Sequence, residues 1–499
     1  MSRAAYAARG MTYLATQGFV SLLFSFLYFG FAARLLDKSE IGQLAWIAVF
    51  ITFYPSLFSL GLPQGINRHV ALRESQGGVE EAAGIGRQAL KLGIVLSISA
   101  SATALLVLNF LSEPLFGFPL PVVYMMLIGL DILFLVFNSF NIAVLMGVRD
   151  YGHVSLYATF SFGVRSLSAI LLLPWGILGV LGGWVLGSLA SLILFLSRII
   201  RTGYGAQGRE VPFSELWSYS APLYLSSIVN YFKLNADKML LLYFTNYSSL
   251  GVYNVALAIT SSLSVILGAI SSVMFPELSH VFASSVRDIR QVVRTASRYF
   301  FLVYLPMAVG LAVVAYPAIT LIAGRAYAEG AAPLAILSLA LAVAGLASIL
   351  NPVLLSTGAT KVVPVIAVIS IATAASISLV AIPQLGIEGG AITRGVLLVS
   401  QLVAVTVTTR IYGQLSLDTS ALKASVVGSL LMAFIVLLAE YALGFNKYFL
   451  PGYIALGAVT YILYIRSVRV LTQNDKNLLR SYVPAPLRPV LNRLLGRSE

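Results

Sequence analysis

Ser226-Ser227-Ile228-Val229-Asn230-Tyr231-Phe232-Lys233-Leu234-Asn235-Ala236-Asp237-Lys238 lies inside an apolar segment spanning residues 217–244. On a helix, Ser226, Asn230, Lys233 and Asp237 recur at i, i+4, i+7 and i+11 and so share one face. Lys233 and Asp237 are four residues apart and can pair along that face. The opposite side is Leu, Ile, Val and Phe. A helix that meets lipid on one side and carries charge at mid-span on the other needs a wet or protein-lined interior to point into.

The chain around this stretch reads the same way. Its 499 residues are 59% hydrophobic and only 10% charged, well under half the charged share of a soluble domain. Apolar runs of about 20 residues recur from end to end. The expected fold class is therefore an all-α polytopic membrane protein with about fourteen transmembrane helices. There is no cysteine, which excludes disulfides, iron–sulfur clusters and thiol catalysis. The three histidines, His69, His153 and His280, fall in predicted connections and are too scattered for a metal site. No Gly-x-x-x-x-Gly-Lys-Ser/Thr loop occurs, so nucleotide hydrolysis through a P-loop is excluded.

The net charge of +13 reads as membrane topology rather than as affinity for nucleic acid. An even number of spans puts both termini on one side. If that side is the cytoplasm, the outer connections hold only Arg34, Lys38, Arg325 and Lys447. The inner side collects Arg68, Arg73, Arg87 and Lys91, then Arg287, Arg290, Arg294 and Arg298, and then the basic tail. Basic residues resist translocation, so this asymmetry predicts a multi-pass protein of the cytoplasmic membrane with its N- and C-termini inside. In the tail, Leu487, Val490, Leu491, Leu494 and Leu495 would share one face of an amphipathic helix lying on the anionic surface, and a frayed basic end fits the same residues.

Internal repetition organises the spans. Ile41-Gly42-Gln43-Leu44 matches Leu250-Gly251-Val252-Tyr253, and Gly176-Ile177-Leu178-Gly179 matches Gly386-Ile387-Glu388-Gly389, each of the latter pair just after a proline, Pro174 or Pro383. The stretch from Asn141 to Gly147 resembles that from Asn351 to Gly358. The near-constant offset of 209 to 211 residues predicts two pseudo-symmetric six-helix lobes in the same orientation, related by an axis along the membrane normal. The predicted organisation is an N-terminal lobe (1–210), a C-terminal lobe (211–411), two extra helices (412–466) and a basic cytoplasmic tail (467–499).

Six ionisable residues fall within predicted spans: Asp131, Arg165, Lys233, Asp237, Lys238 and Arg394. Each costs about 2.5–3.5 kcal/mol at the centre of a span unless it is paired or hydrated. Under the repeat, Lys233 corresponds to Leu23, Asp237 to Leu27, Asp131 to Leu341, Arg165 to Ala375 and Arg394 to Trp184. The glycines and prolines are repeated and the charges are not, so packing alone does not require the charges in both lobes. Structural pairing of Lys233 with Asp237, or of Asp131 with Arg165, also fits the pattern, and Arg394 is close enough to the outer end of its span to snorkel. The basic surplus suits an anionic ligand such as phosphate.

Four stretches resemble polysaccharide (Wzx-type) flippases of the multidrug/oligosaccharidyl-lipid/polysaccharide (MOP) exporter superfamily. They are Ala33-Arg34-Leu35-Leu36 through Leu60-Gly61-Leu62 to Arg68; Asn235-Ala236-Asp237-Lys238 with Leu250-Gly251-Val252-Tyr253 and Phe275-Pro276-Glu277-Leu278-Ser279; Ala323-Gly324-Arg325-Ala326-Tyr327; and Leu355-Ser356-Thr357-Gly358 with Gly386 through Ala391. The resemblance covers spans one to twelve. It implies alternating access to a cavity between two lobes and transfer of a polyprenyl-diphosphate-linked glycan to the outer leaflet. The candidate anion-binding residues are then Arg165, Lys233, Lys238, Arg394 and Asn230, with Arg34 and Arg325. Asp131 and Asp237 are candidates for coupling to a proton or sodium gradient, and no cofactor is expected. The expected partners are the lipid-linked glycan, membrane lipid and polysaccharide polymerase or export machinery, with no nucleic acid.

Lipid II flipping by the same superfamily fits fourteen spans equally well. A cation-coupled multidrug exporter would favour an acidic lumen, against the basic surplus here. A membrane glycosyltransferase or polymerase would need a sizeable outer loop with acidic catalytic residues, whereas the outer connections are short and Glu113, Glu329 and Glu388 stand apart.

Overall fold

The computed structural model describes residues 3–281, 286–356, 362–411 and 416–470, and no strand occurs among them. The tail helix expected around Leu487–Leu495 and the Thr357-Gly358 end of one motif lie outside the described residues. The helices are α1 (Arg3–Leu35), α2 (Lys38–Phe58), α3 (Leu62–Phe116), α4 (Val122–Gly147), α5 (Tyr151–Leu172), α6 (Gly176–Thr202), α7 (Phe213–Phe244), α8 (Tyr247–Val281), α9 (Val286–Tyr299), α10 (Leu305–Val313), α11 (Ala315–Ile322), α12 (Ala331–Ala344), α13 (Ala347–Ser356), α14 (Val362–Leu385), α15 (Ile387–Ile411), α16 (Thr419–Ala442) and α17 (Leu450–Ser467). With α9–α11 taken as one interrupted crossing and α12–α13 as another, these make fourteen crossings.

Among the described residues twelve stretches are long and apolar enough to cross a membrane; one of them, 151–202, contains both α5 and α6, and α7 with its charges is not among them. Large apolar side chains such as Phe110, Leu171, Leu430 and Ile411 face outward. In water these would be a liability; in hydrocarbon they are the expected outer surface of a helical bundle.

α3 corrects one sequence reading. The segment carrying Arg68, Arg73, Arg87 and Lys91, placed by its charge in an inner connection, forms one 55-residue helix with the apolar run that follows it. At about 1.5 Å per residue the helix is far longer than the ~30 Å hydrocarbon core. Good helix formers (Ala, Leu, Arg, Gln, Glu) dominate its basic portion. The linker between α6 and α7 also docks against it: Gln88 Nε2 donates to Val211 O (2.8 Å), Val211 N donates back to Gln88 Oε1 (3.1 Å), and Lys91 pairs with Glu210. His69, His153 and His280 lie in helices, not connections.

By contacts the chain divides into two compact units, residues 1–258 with 374–390, and residues 259–373 with 391–499. Within the first, α3 packs along α4, α5 pairs with α6, α1 packs on α5, and α7 lies on α2 and α3.

The repeated glycines have repeated structural jobs in this unit. A Cβ on Gly42 would stand 1.8 Å from the carbonyl oxygen of Tyr247, and one on Gly251 would stand 2.0 Å from that of Lys38. Under the 209-residue offset Lys38 corresponds to Tyr247 and Gly42 to Gly251. The contact is therefore reciprocal, as around a local two-fold axis, and only glycine lets the starts of α2 and α8 approach so closely. The α5–α6 and α14–α15 hairpins match as well. Gly176 (φ +64) and Gly386 (φ +55) turn the chain. Gly179 then abuts Leu172 O at 1.8 Å, and Gly389 abuts Ala381 O at 2.2 Å, measured from an added Cβ.

The second unit has its own core, built on Phe300, Tyr304, Ile349, Val353, Tyr453 and Tyr461. Pro306 has no N–H for the carbonyl four residues earlier, Leu302 O. The Tyr461 hydroxyl donates to that oxygen instead (3.0 Å). Asp418 caps α16: it accepts from Ala421 N (2.9 Å), the Ser420 hydroxyl (2.7 Å) and Arg298 Nη1 (3.0 Å). Burial alone would raise its pKa, but these donors hold it below the ordinary aspartate value.

Two outcomes are expected. Gly42→Val should abolish the monodisperse peak of detergent-solubilised protein in size-exclusion chromatography, whereas Gly268→Ala, with nothing within 4 Å of the new methyl, should leave it intact. Because the native pKa of Asp418 is depressed, its stabilisation is present above the unfolded value of 3.8 and is lost as pH falls through the lower folded value. Asp418→Asn should therefore lower the unfolding temperature at pH 7, and its deficit against the parent should shrink below about pH 3.8.

Candidate functional site

Charge inside the first unit is arranged around Asp131. Its carboxylate is 1% exposed and sits on α4. Ser188 of α6 donates to Asp131 Oδ1 at 2.5 Å. Arg165 of α5 reaches both carboxylate oxygens with Nη1 at 3.5 Å and Ser188 Oγ at 3.3 Å. The guanidinium lies over the Trp184 ring, 4.7 Å from its centroid. Three helices thus converge on one buried ion pair, in which Arg165 keeps a quarter of its side chain exposed.

Packing explains why these groups meet. Gly187 lets α6 press directly onto the backbone of Arg165, where a Cβ would stand 2.7 Å from Arg165 Cα. Asn138, seven residues and about two turns beyond Asp131, donates to Ser188 O (3.1 Å) and braces the same serine. Asn141 is fully buried, and its amide makes no hydrogen bond to protein. The sequence reading missed Ser188, Asn138 and Asn141. The available signal was that Asp131 and Asn138 share one face of an otherwise apolar helix.

The charges of α7 are placed separately. Tyr231 donates to Val49 O (2.8 Å) and fixes α7 to α2. Asp237 is buried and accepts the Tyr253 hydroxyl at 2.5 Å, and that hydroxyl also approaches Gly390 O (3.4 Å). Lys233 and Lys238 are half-buried, and Asn230 is exposed. The polar face read from Ser226 to Asp237 therefore runs from an exposed middle to a buried end. Arg34 is exposed at the end of α1. Arg394 is half-buried on α15 and Arg325 is exposed beyond α11; both belong to the second unit. Among the described residues no group of His, Cys, Asp and Glu could hold a metal ion.

Buried charge inside a bundle of lipid-facing helices is costly and marks the Asp131–Arg165 cluster as the candidate site. The fold is similar to the lipid II flippase MurJ in an inward closed conformation, with a TM-score of 0.74 at 14% identity over 91% of this chain and 99% of that one. It is also similar to an inward-facing multidrug resistance MATE transporter of the MOP superfamily (TM-score 0.65, 15% identity, 79% of this chain and 95% of that one). A MOP superfamily transporter from Pyrococcus furiosus matches with a TM-score of 0.56 at 14% identity over 82% and 95%. A family model of polysaccharide biosynthesis proteins matches residues 31–332, more than half of the chain, and the protein belongs to that family. No curated protein sequence gives a significant match.

Removing Arg165 would leave the Asp131 charge buried without its cation, which costs about 3–5 kcal/mol. Arg165→Ala should therefore lower the unfolding temperature markedly in detergent, and adding Asp131→Ala should restore most of the loss. A double variant no more stable than Arg165→Ala alone would show that the two side chains act independently.

Proposed function

We propose that the protein flips a polyprenyl-diphosphate-linked oligosaccharide or polysaccharide precursor from the inner to the outer leaflet of the cytoplasmic membrane by alternating access. The observation that carries this reading is the family match over residues 31–332, which contains Asp131, Arg165 and the whole of α7. The charge pattern supports it. Arg165, Lys233, Lys238 and Arg394 give the spans a basic surplus, and guanidinium and ammonium groups are the usual phosphate binders. Asn230, Arg34 and Arg325 complete the proposed substrate-contacting set. The carried lipid would keep its tail in the bilayer, polysaccharide polymerase or export machinery would receive the glycan, and both termini would face the cytoplasm.

The buried carboxylates Asp131 and Asp237 are the proposed sites of coupling to a proton or sodium gradient. A carboxylate inside a low-dielectric bundle changes its environment whenever the helices around it move, so its affinity for a cation differs between states. Nothing in this mechanism requires a covalent intermediate or a cofactor. Lipid II transport is the second reading, favoured by the similarity to the MurJ fold.

The test is reconstitution. Proteoliposomes loaded with an undecaprenyl-diphosphate-linked oligosaccharide should expose it to membrane-impermeant periodate in the presence of the protein. Lys233→Ala should slow exposure at least tenfold, and Asp237→Asn should remove its dependence on an imposed gradient while the protein remains monodisperse. Transport of lipid II with no exposure of the oligosaccharide would select the second reading.

A further inference from the structure

The basic portion of α3 and the start of α7 line an open cavity of about 400 Å³ whose wall includes Arg68, His69, Arg73, Glu215 and Tyr219. It lies entirely within the first unit and outside the stretches apolar enough to cross a membrane. Its volume is in the range of small-ligand sites. None of these residues belongs to the Asp131–Arg165 cluster.

Three features of the wall point to a phosphate group. The Arg68 guanidinium carbon lies over the Tyr219 ring, 4.3 Å from its centroid, and a guanidinium is the group best suited to hold an anion through several N–H donors. Arg73 gives Nη1 to Glu81 Oε2 at 3.3 Å, one contact for a fork of five donors. Between them, His69 is 7% exposed, and its Nε2 is buried with no hydrogen-bond partner.

A buried ring nitrogen without a partner needs a reason. The charges that face it are Arg68 and Arg73 from α3 and Glu215 from α7, whose Oε1 is 3.9 Å from His69 Nδ1 and whose side chain is mostly exposed. Burial pushes the imidazole pKa down, Glu215 opposes this, and the two arginines add to the depression. Protonation of the ring is thus disfavoured, next to two cations that it does not bond. An anion seated between the arginines would reverse that balance. It would pair with both guanidinium groups, and its negative charge would favour protonation of the neighbouring His69 ring.

We propose that the α3–α7 pocket binds a phosphate or diphosphate group, borne by a lipid headgroup at the membrane surface or by a free anion, and that His69 takes up a proton as it binds. The inference stands independently of the flippase reading, because it rests on the pocket alone.

Full-length protein is purified in a neutral detergent and titrated with inorganic pyrophosphate while its unfolding temperature is followed. The parent should show a saturable rise, and Arg68→Gln/Arg73→Gln should weaken the apparent affinity at least tenfold. The charge-matched Arg201→Gln/Arg209→Gln, which removes two exposed cations outside the pocket, should respond like the parent. Affinity should rise as pH is lowered from 8 to 6, and His69→Gln should flatten that profile without unfolding the protein. Repeating the titration in nanodiscs of phosphatidylglycerol and of phosphatidylcholine separates the sources. Loss of the pyrophosphate response only in phosphatidylglycerol identifies a lipid headgroup as occupant, and equal responses in both identify the free anion. Equal weakening by both double variants, or no saturable response in the parent, would overturn the proposal.

Discussion

Hydrocarbon offers no hydrogen bonds, and the rest of this structure follows from that constraint. Every main-chain donor and acceptor in a crossing must be satisfied within its own helix or by a neighbour, so the described residues are helical and the interruptions are few and compensated. At Pro306 the unmatched carbonyl of Leu302 takes the Tyr461 hydroxyl. The same constraint governs side chains. A carboxylate as buried as Asp131 persists because Ser188, Arg165 and, through Ser188, Asn138 close around it from three helices.

With no water to expel between helices, close packing must hold them together. This explains why glycine, rather than any apolar residue, marks the repeat. The reciprocal approaches of Gly42 to Tyr247 and of Gly251 to Lys38 bring two helix starts together at backbone distance. The Gly176–Gly179 and Gly386–Gly389 hairpins do the same between consecutive helices. Such positions tolerate no side chain, which is why four-residue matches at a fixed offset were enough to expose them.

The sequence showed most where physics allowed one solution. Fourteen crossings and the repeated glycines could be read because span length and backbone contact leave little freedom. The extent of α3 could not be read from hydropathy. A polar helix and a polar connection look alike in composition, and the docking of the α6–α7 linker through Gln88 and Lys91 depends on residues more than a hundred positions away. The pairing of Asp131 with Arg165 was one of two open readings. Its serine was invisible, because Ser188 is an ordinary residue for a helix and acquires meaning only from what α4 and α5 place beside it.

The symmetry of the packing and the asymmetry of the charge belong to one argument. A duplicated bundle needs its glycines twice, since both copies must pack, but it needs a buried charge only where that charge does something a methyl group cannot. Arg165 corresponds in the repeat to Ala375, and Asp131 to Leu341. The aromatic ring under Arg165 is Trp184, whose own counterpart is Arg394. One copy therefore holds a cation against an indole where the other has a second cation at the indole's position. Replacing the Asp131–Arg165 pair with apolar residues of similar volume would, by the usual cost of buried ions, stabilise the bundle or leave it unchanged. Packing stability alone thus gives no account of why the pair is there.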